Sequence, residues 1–269
     1  MNKVEFQLNN GKYMIHGMKY IPDNPKNIPI IMSHGFLSNS KKLKRYAMFL
    51  AGMGYTVYAY DFCGGHLFGK SEGPREYLTI ENELNDLQTV INSVEESKNE
   101  LMLFGESLGG FISLLYAARN PAVVARVLAI YPALSIPDDA RRGKMVFISF
   151  NPNHIRETWK CKFGFKFNPS FAEECIRLDT DKIIKEVLCP VCIVHGGKDK
   201  IVSATHLRKT LENLSPDSFV YFIKKAGHGF KRKEQDIALA HFKDFLTDKR
   251  TDNKKWRFRI FIFSIIVDP

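Results

Sequence analysis

Apolar and polar positions alternate from Val4 to Leu8 and again from Tyr13 to Tyr20. Asn9-Asn10-Gly11 between them is a turn signal, so this start predicts an antiparallel hairpin. The next runs differ in kind. Ile28 to Met32 is short and nearly all apolar, as a strand covered on both faces should be, and it ends in Ser33-His34-Gly35-Phe36. Leu43, Tyr46, Ala47 and Leu50 recur at i, i+3, i+4 and i+7, one face of a helix. Tyr55 to Tyr60 is the following strand and closes on Asp61.

Residues 62–78 are irregular and rich in glycine. A long helix is predicted after them, opened by Thr79 and carrying Ile80, Leu84, Leu87, Ile91 and Val94 at alternating spacings of four and three. Leu101 to Phe104 reads as a strand, Phe111 to Ala118 as a helix and Val127 to Tyr131 as a strand. Strands that alternate with helices predict a parallel sheet covered on both faces.

From Pro132 to about Asp181 the rhythm breaks into scattered aromatics (Phe147, Phe150, Trp159, Phe163, Phe165, Phe167, Phe171) with no clean period. So long a stretch without a sheet strand, inside a compact domain, is usually a functional insertion, and it is read as a cap. The alternation resumes with a strand at Val191 to Val194, a helix from Ser203 to Leu214, a strand at Phe219 to Ile223 and a helix from Lys233 to Leu246. The last carries Ala238, His241, Phe242, Phe245 and Leu246 on one face. The expected organisation is a core of 1–131 and 182–248, a cap of 132–181 and a basic-aromatic tail of 249–269.

Composition narrows this picture. A chain of 269 residues with 45% hydrophobic content suits one large α/β domain with an insertion. Its start has no apolar run of signal-peptide length, and no stretch reaches the roughly 18 apolar residues of a membrane span. A protein of the cytoplasm is expected. Five cysteines (Cys63, Cys161, Cys175, Cys189, Cys192) have no disulfide-framework spacing, which fits a reducing compartment. Cys189-Pro190-Val191-Cys192 has the C-x-x-C form, but no second pair stands at zinc-finger spacing, so its role is structural and no metal is expected. Of the formal charge of +10, a net +4 lies in residues 249–269. No basic helix interleaved with stacking aromatics points to nucleic acid. Oligomeric state is left open, a homodimer included.

The chemistry centres on GESLGG, residues 105–110. This is G-x-S-x-G between a strand and a helix, the context in which a serine is held clear of the backbone on a sharp turn. Ser107 is the candidate nucleophile. A serine hydroxyl needs a base, an acid to orient the base and donors for an oxyanion. Loops at the carboxyl edge of a parallel sheet converge on one crevice, and three of them supply candidates. Asp199 is the only carboxylate in the loop after Val194, with Asp179 and Asp181 as rivals placed before that strand. His228, flanked by Gly227 and Gly229, is the candidate base ahead of His16, His154, His195, His206 and His241. The backbone N–H groups of Phe36 and Leu108 are the candidate oxyanion donors, with His34 bracing the first of these loops on the substrate side. The order Ser107, Asp199, His228 is that of an α/β-hydrolase triad.

With HGF at 34–36, YDF at 60–62, GESLGG, HGGKD at 195–199 and GHGF at 227–230, the chain resembles the α/β-hydrolase family over roughly residues 4–247. Within that family the pattern is most similar to the bacterial cinnamoyl and feruloyl esterases, with monoacylglycerol-lipase-like enzymes next. The resemblance implies an α/β-hydrolase fold, a mostly parallel central sheet with helices on both faces and an inserted cap. It also implies hydrolysis of small-molecule carboxylic esters through an acyl-enzyme, without cofactor, on Ser107, His228 and Asp199. In the cinnamoyl esterases polar groups of the insertion hold the phenolic end of the substrate, and Asp139 lies where such a group is expected, although Asp138 would serve as well. The chain departs from the family's compact D-x-x-G-x-G-x-S segment, which is longer here from Asp61 to Ser71. Acyl transfer, peptide hydrolysis on the same triad and a non-catalytic binding homologue are the alternatives; serine rather than aspartate at the elbow disfavours a dehalogenase.

Overall fold

Asn9-Asn10-Gly11 turns the chain between β1 (Asn2–Asn9) and β2 (Met14–Ile21), which pair antiparallel from Asn2↔Ile21 to Asn9↔Met14. Gly11 takes the positive φ, 96°, that the turn requires. The computed structural model describes residues 1–96, 100–145, 148–155, 159–160, 166–204, 207 and 211–247.

β2 runs antiparallel to β4 (Thr56–Tyr60), and from there the sheet is parallel. Its other members are β3 (Pro29–Ser33), β5 (Met102–Glu106), β6 (Arg126–Ile130), β7 (Val191–Gly196) and β8 (Phe219–Ile223). The order across the sheet is β1-β2-β4-β3-β5-β6-β7-β8. Every residue of β3, β4 and β7 is buried, which is why these strands read as apolar runs rather than alternations.

Successive residues of each central strand point to opposite faces and feed two cores. Ile31, Leu103, Val127 and Ile193 pack with α2 (Ile80–Asn92) and α3 (Leu108–Arg119) on one face. Ile30, Met32, Phe104, Leu128 and Val194 pack with α1 (Lys44–Gly52) and the C-terminal helix, Arg232–Thr247, on the other.

Local signals account for the helix starts. The Thr79 side chain accepts the Asn82 N–H at 3.1 Å, an N-cap worth about 1 kcal/mol. The helix after the elbow begins at Leu108, three residues earlier than its apolar pattern suggests, because the turn at Ser107 leads straight into it and Gly109 and Gly110 lie inside its first turn. On the C-terminal helix the buried set is Ala238, Leu239, Phe242 and Phe245. His241, expected on that face, is instead half-buried and stacks on Tyr221 with ring centroids 3.7 Å apart.

Between β6 and β7 come α4 (Ile136–Arg141), α5 (Pro169–Arg177) and α6 (Thr180–Glu186). Two short antiparallel pairs also lie there, Lys144–Met145 with Ile148–Ser149 and Trp159–Lys160 with Lys166–Phe167, and neither joins the central sheet. Asn168 caps α5 and Asp179 caps α6 through their side chains. The C-terminal helix is α7. The expected helix from Ser203 to Leu214 lies partly outside the described residues, at 205–206 and 208–210, and Leu211–Asn213 is a short 3-10 turn; His206, Phe147, Phe163, Phe165 and the tail 249–269 also lie outside them. Among the described residues no helix is long and apolar enough to cross a membrane.

Candidate active site

Ser107 sits at the junction of β5 and α3 with φ 54° and ψ −115°, a conformation that side chains rarely adopt. The turn closes because its neighbours are glycines. A Cβ on Gly105 would lie 2.3 Å from the Gly109 carbonyl oxygen, and one on Gly109 would lie 2.3 Å from that of Ser33. This packs the start of α3 onto the end of β3. The Ser107 N–H donates to Ile130 O at 3.0 Å and the Ala133 N–H to Ser107 O at 3.0 Å, so β6 and the segment after it brace the elbow.

The loops carrying Asp199 and His228 are joined before either side chain is considered. Gly197 N–H donates to Ile223 O at 2.9 Å and Lys198 N–H to Ala226 O at 2.8 Å. Gly196 allows the approach, since a Cβ there would stand 2.6 Å from Gly227 O. Asp199 is buried; its Oδ1 accepts the N–H groups of Ile201 and Val202, both at 2.9 Å, leaving Oδ2 for the histidine. Burial pushes its carboxyl up, but the bond from His228 and the Val202 amide outweigh it and hold the group below the ordinary aspartate value.

These elements place His228 Nε2 3.0 Å from Ser107 Oγ and His228 Nδ1 2.8 Å from Asp199 Oδ2. With Nδ1 donating to the carboxylate, Nε2 presents a lone pair to the hydroxyl. A hydroxyl, imidazole and carboxylate so arranged can pass the serine proton to the ring as the oxygen attacks an electrophile.

The loop after β3 comes up against the same serine. A Cβ on Gly35 would lie 3.2 Å from the Ser107 Cβ. The Leu108 N–H belongs to the first turn of α3, for which a helix supplies no internal partner. His34 is fully buried; its Nδ1 donates to Gly35 O at 2.8 Å and its Nε2 accepts the Phe62 N–H at 3.0 Å. Burial lowers its pKa to about 4, so the ring is neutral. Both nitrogens are committed, so the ring braces the loop, and the expectation of a substrate-side contact by His34 gives way to that role. Asp61 completes the brace, accepting the Ser40 N–H at 2.7 Å and the Lys70 N–H at 2.8 Å. It thereby ties the long 62–78 segment to the chain that follows β3.

Asp139 on α4 has both oxygens engaged, Oδ2 by Ser135 Oγ at 2.7 Å and Oδ1 by Arg142 at 2.6 Å, while Asp138 pairs with Arg141 at 2.7 Å. Another residue of the insertion meets the loop after β3. Phe171 of α5 stacks on Phe36 with centroids 5.8 Å apart and planes at 19°. His195 is buried at the end of β7, donates Nε2–H to Val202 O at 3.0 Å and lies 3.9 Å from Asp199 Oδ2. His16 is half-buried in the hairpin and His154 exposed.

Two site-adjacent residues escape the sequence pattern. Tyr131 reads there only as a strand end and Glu106 as filler of the elbow, yet Tyr131 Oη donates to Glu106 Oε1 beside the histidine. A buried tyrosine with a hydroxyl to satisfy was the available signal. Burial pushes the thiols of Cys63, Cys175, Cys189 and Cys192 up, Cys189 to about 11, so none is a ready thiolate. Among the described residues no three His, Cys, Asp or Glu side chains are grouped as a metal site needs.

The profile of a family described as Hydrolase_4: Serine aminopeptidase, S33, matches residues 24–162. A mitochondrial palmitoyl-protein thioesterase, ABHD10 of Bos taurus, is 26% identical over 239 residues, 83% of this chain and 74% of that protein. A monoglyceride lipase of Rattus norvegicus is 30% identical over 129 residues, 46% of this chain and 42% of that protein. Among solved structures, Est1E from Butyrivibrio proteoclasticus with bound ferulic acid superposes with a TM-score of 0.82 at 20% identity, over 90% of this chain and 98% of that one.

Proposed function

The chain belongs to the Hydrolase_4 family and is a hydrolase of the α/β-hydrolase fold; from that premise we propose that it is a serine esterase acting on small acyl or aromatic, cinnamoyl-type or feruloyl-type, carboxylic esters. The observation that carries the reading is the unbroken relay from Asp199 through His228 to Ser107, at 2.8 and 3.0 Å. Ser107 Oγ attacks the ester carbonyl carbon as its proton passes to His228 Nε2. Asp199 keeps the ring in the right tautomer and stabilises the imidazolium. The backbone N–H groups of Phe36 and Leu108 hold the oxyanion. Collapse expels the alcohol, which takes the proton from His228. Water, deprotonated by the same ring, then attacks the acyl-enzyme carbonyl, and Ser107 leaves with its proton restored as the acid departs. No cofactor enters.

In this reading residues 132–181 form the cap over a core of 1–131 and 182–248, and they select the substrate. Asp139 reaches a phenolic hydroxyl by exchanging its bond to Ser135 or Arg142. The four free cysteines among the described residues suit a reducing compartment, here the cytoplasm.

A second reading, turnover of longer acyl esters or thioesters, is favoured by Phe68. This ring is 88% exposed, next to Leu67, whose N–H donates to Ser38 O of the oxyanion loop at 3.0 Å. An exposed apolar group tied to that loop suits an acyl chain. ABHD10 relatives, named as thioesterases, point the same way. Acyl transfer and peptide hydrolysis would use the same triad, because the acceptor is chosen by contacts outside it.

The test is Ser107→Ala assayed on p-nitrophenyl acetate, with fluorophosphonate labelling of the wild type located at Ser107. Loss of hydrolysis and of labelling is expected; turnover at the wild-type rate in the variant would refute the assignment. A panel of methyl ferulate, short p-nitrophenyl esters, a monoacylglycerol and palmitoyl-CoA separates the two readings by kcat/KM.

A further inference from the structure

Tyr131, the residue after β6, is buried and has φ 34°, a left-handed backbone that costs a non-glycine residue on the order of 1 kcal/mol or more. Its side chain shows what keeps it there. The ring lies 4.4 Å from that of His228, centroid to centroid and tilted by 49°, and meets Phe230 edge-on at 4.7 Å. Its Oη accepts the Phe230 N–H at 3.4 Å and donates to Glu106 Oε1. One side chain therefore touches the candidate base, the loop just beyond it and the carboxylate just before Ser107.

We infer that Glu106 and Tyr131 are a positioning pair that holds His228 over Ser107 and favours the ring's protonated form while the serine proton is in transit. The inference rests on the proposed serine-hydrolase reading and gives that reaction two residues outside its triad. Asp199 anchors His228 only at Nδ1, and Gly227 and Gly229, the latter at φ 80°, leave the loop free to pivot about that bond. The Tyr131 ring forms a wall on one side of the imidazole, and the Phe230 amide fixes the loop two residues on.

Charge acts with the geometry. Glu106 faces Tyr131, Tyr46 of α1, Lys42 and, within electrostatic reach, His228. His228 itself faces Asp199, Ser107, the Tyr131 ring and, farther off, His195. Burial pushes the Glu106 carboxyl up, against the Tyr131 bond and the charges of His228 and Lys42. As pH rises and Glu106 ionises, its negative charge stabilises the imidazolium that forms in the transition state.

The experiment uses the full chain and three proteins: wild type, Glu106→Gln, which keeps the acceptor but not the charge, and Tyr131→Phe, which keeps the ring but not the hydroxyl. kcat and KM for p-nitrophenyl acetate are measured across pH, and the His228 ring titration is followed by NMR, assigned with His228→Gln. Glu106→Gln is expected to lower kcat about tenfold at unchanged KM. It should also move both the acidic limb of kcat/KM and the NMR midpoint to lower pH by about 0.5 to 1 unit. Tyr131→Phe should lower kcat several-fold, again without changing KM. A fall in kcat with an unmoved limb and midpoint would mark a merely structural role and overturn the inference, as would wild-type kinetics in both variants. If wild type neither hydrolyses esters nor labels at Ser107 the esterase reading fails, and the NMR midpoints still decide whether Glu106 couples to His228.

Discussion

Gly35 and Ser107 approach so closely that a methyl group on Gly35 would lie 3.2 Å from the Ser107 Cβ and 3.4 Å from the Glu106 carbonyl oxygen. Relief requires a shift of only a few tenths of an ångström, which the fold tolerates and the proposed oxyanion site would not. Gly35→Ala is therefore expected to fold with a melting temperature near wild type and to lose about tenfold or more in kcat on p-nitrophenyl acetate. Wild-type kcat in that variant would separate this loop from the chemistry.

Gly109→Ala is the contrasting case. Its Cβ would fall 2.3 Å from Ser33 O and 2.5 Å from His34 O, buried backbone atoms at the end of β3 and just after it that cannot turn aside. The expected cost is about 3 kcal/mol or more, read as a drop of roughly 6–12 °C in Tm for a chain of this size. A calorimetric Tm within 2 °C of wild type, itself about the effect of a 1 kcal/mol change, would contradict this account of the elbow.

Asp199→Asn should leave the loop intact, since an amide oxygen can still accept the Ile201 and Val202 N–H groups. Its NH2 group would then face His228 Nδ1 and impose the wrong tautomer. The expected loss in kcat is about 10³- to 10⁴-fold with little change in KM. A loss under tenfold would mean that another group orients the base.

Two buried groups pull stability in opposite directions across the same pH window, between about 4 and 7. Burial holds His34 neutral down to about 4 from an ordinary 6.5, so as pH falls through that window the unfolded chain takes up a proton that the native state refuses. Asp86 runs the other way. Burial, against the bonds from Asn10 and Cys63, raises its carboxyl to about 7 from 3.8, and the stability present below the lower value is lost as pH rises through 7.

Glu83 adds to the stability lost as pH rises. It is 1% exposed, its Oε2 has no hydrogen-bond partner among the described residues, and burial, then Asp86 and Glu174, push its carboxyl well up. Glu83→Gln removes the ionisation, so its Tm relative to wild type should be higher at pH 8 than at pH 5. An equal difference at the two pH values, by differential scanning fluorimetry, would rule out a raised Glu83.

The amino-acid sequence alone determined whatever near neighbours decide. All-apolar runs marked β3, β4 and β7 because both faces of those strands are covered; Thr79 marked a helix start because its cap lies three residues away; glycines around Ser107 marked a turn too tight for side chains. Motif order paired Ser107, Asp199 and His228, and the coordinates bring the three within hydrogen-bonding reach. Contacts across the sheet were decided by tertiary structure. That Tyr131 would reach Glu106, that Asp61 would bind amides on two loops, and that His34 would spend both nitrogens on the backbone depend on strand order and register. No local period encodes these, because a side chain's partners on a neighbouring strand are set by packing and not by distance along the chain.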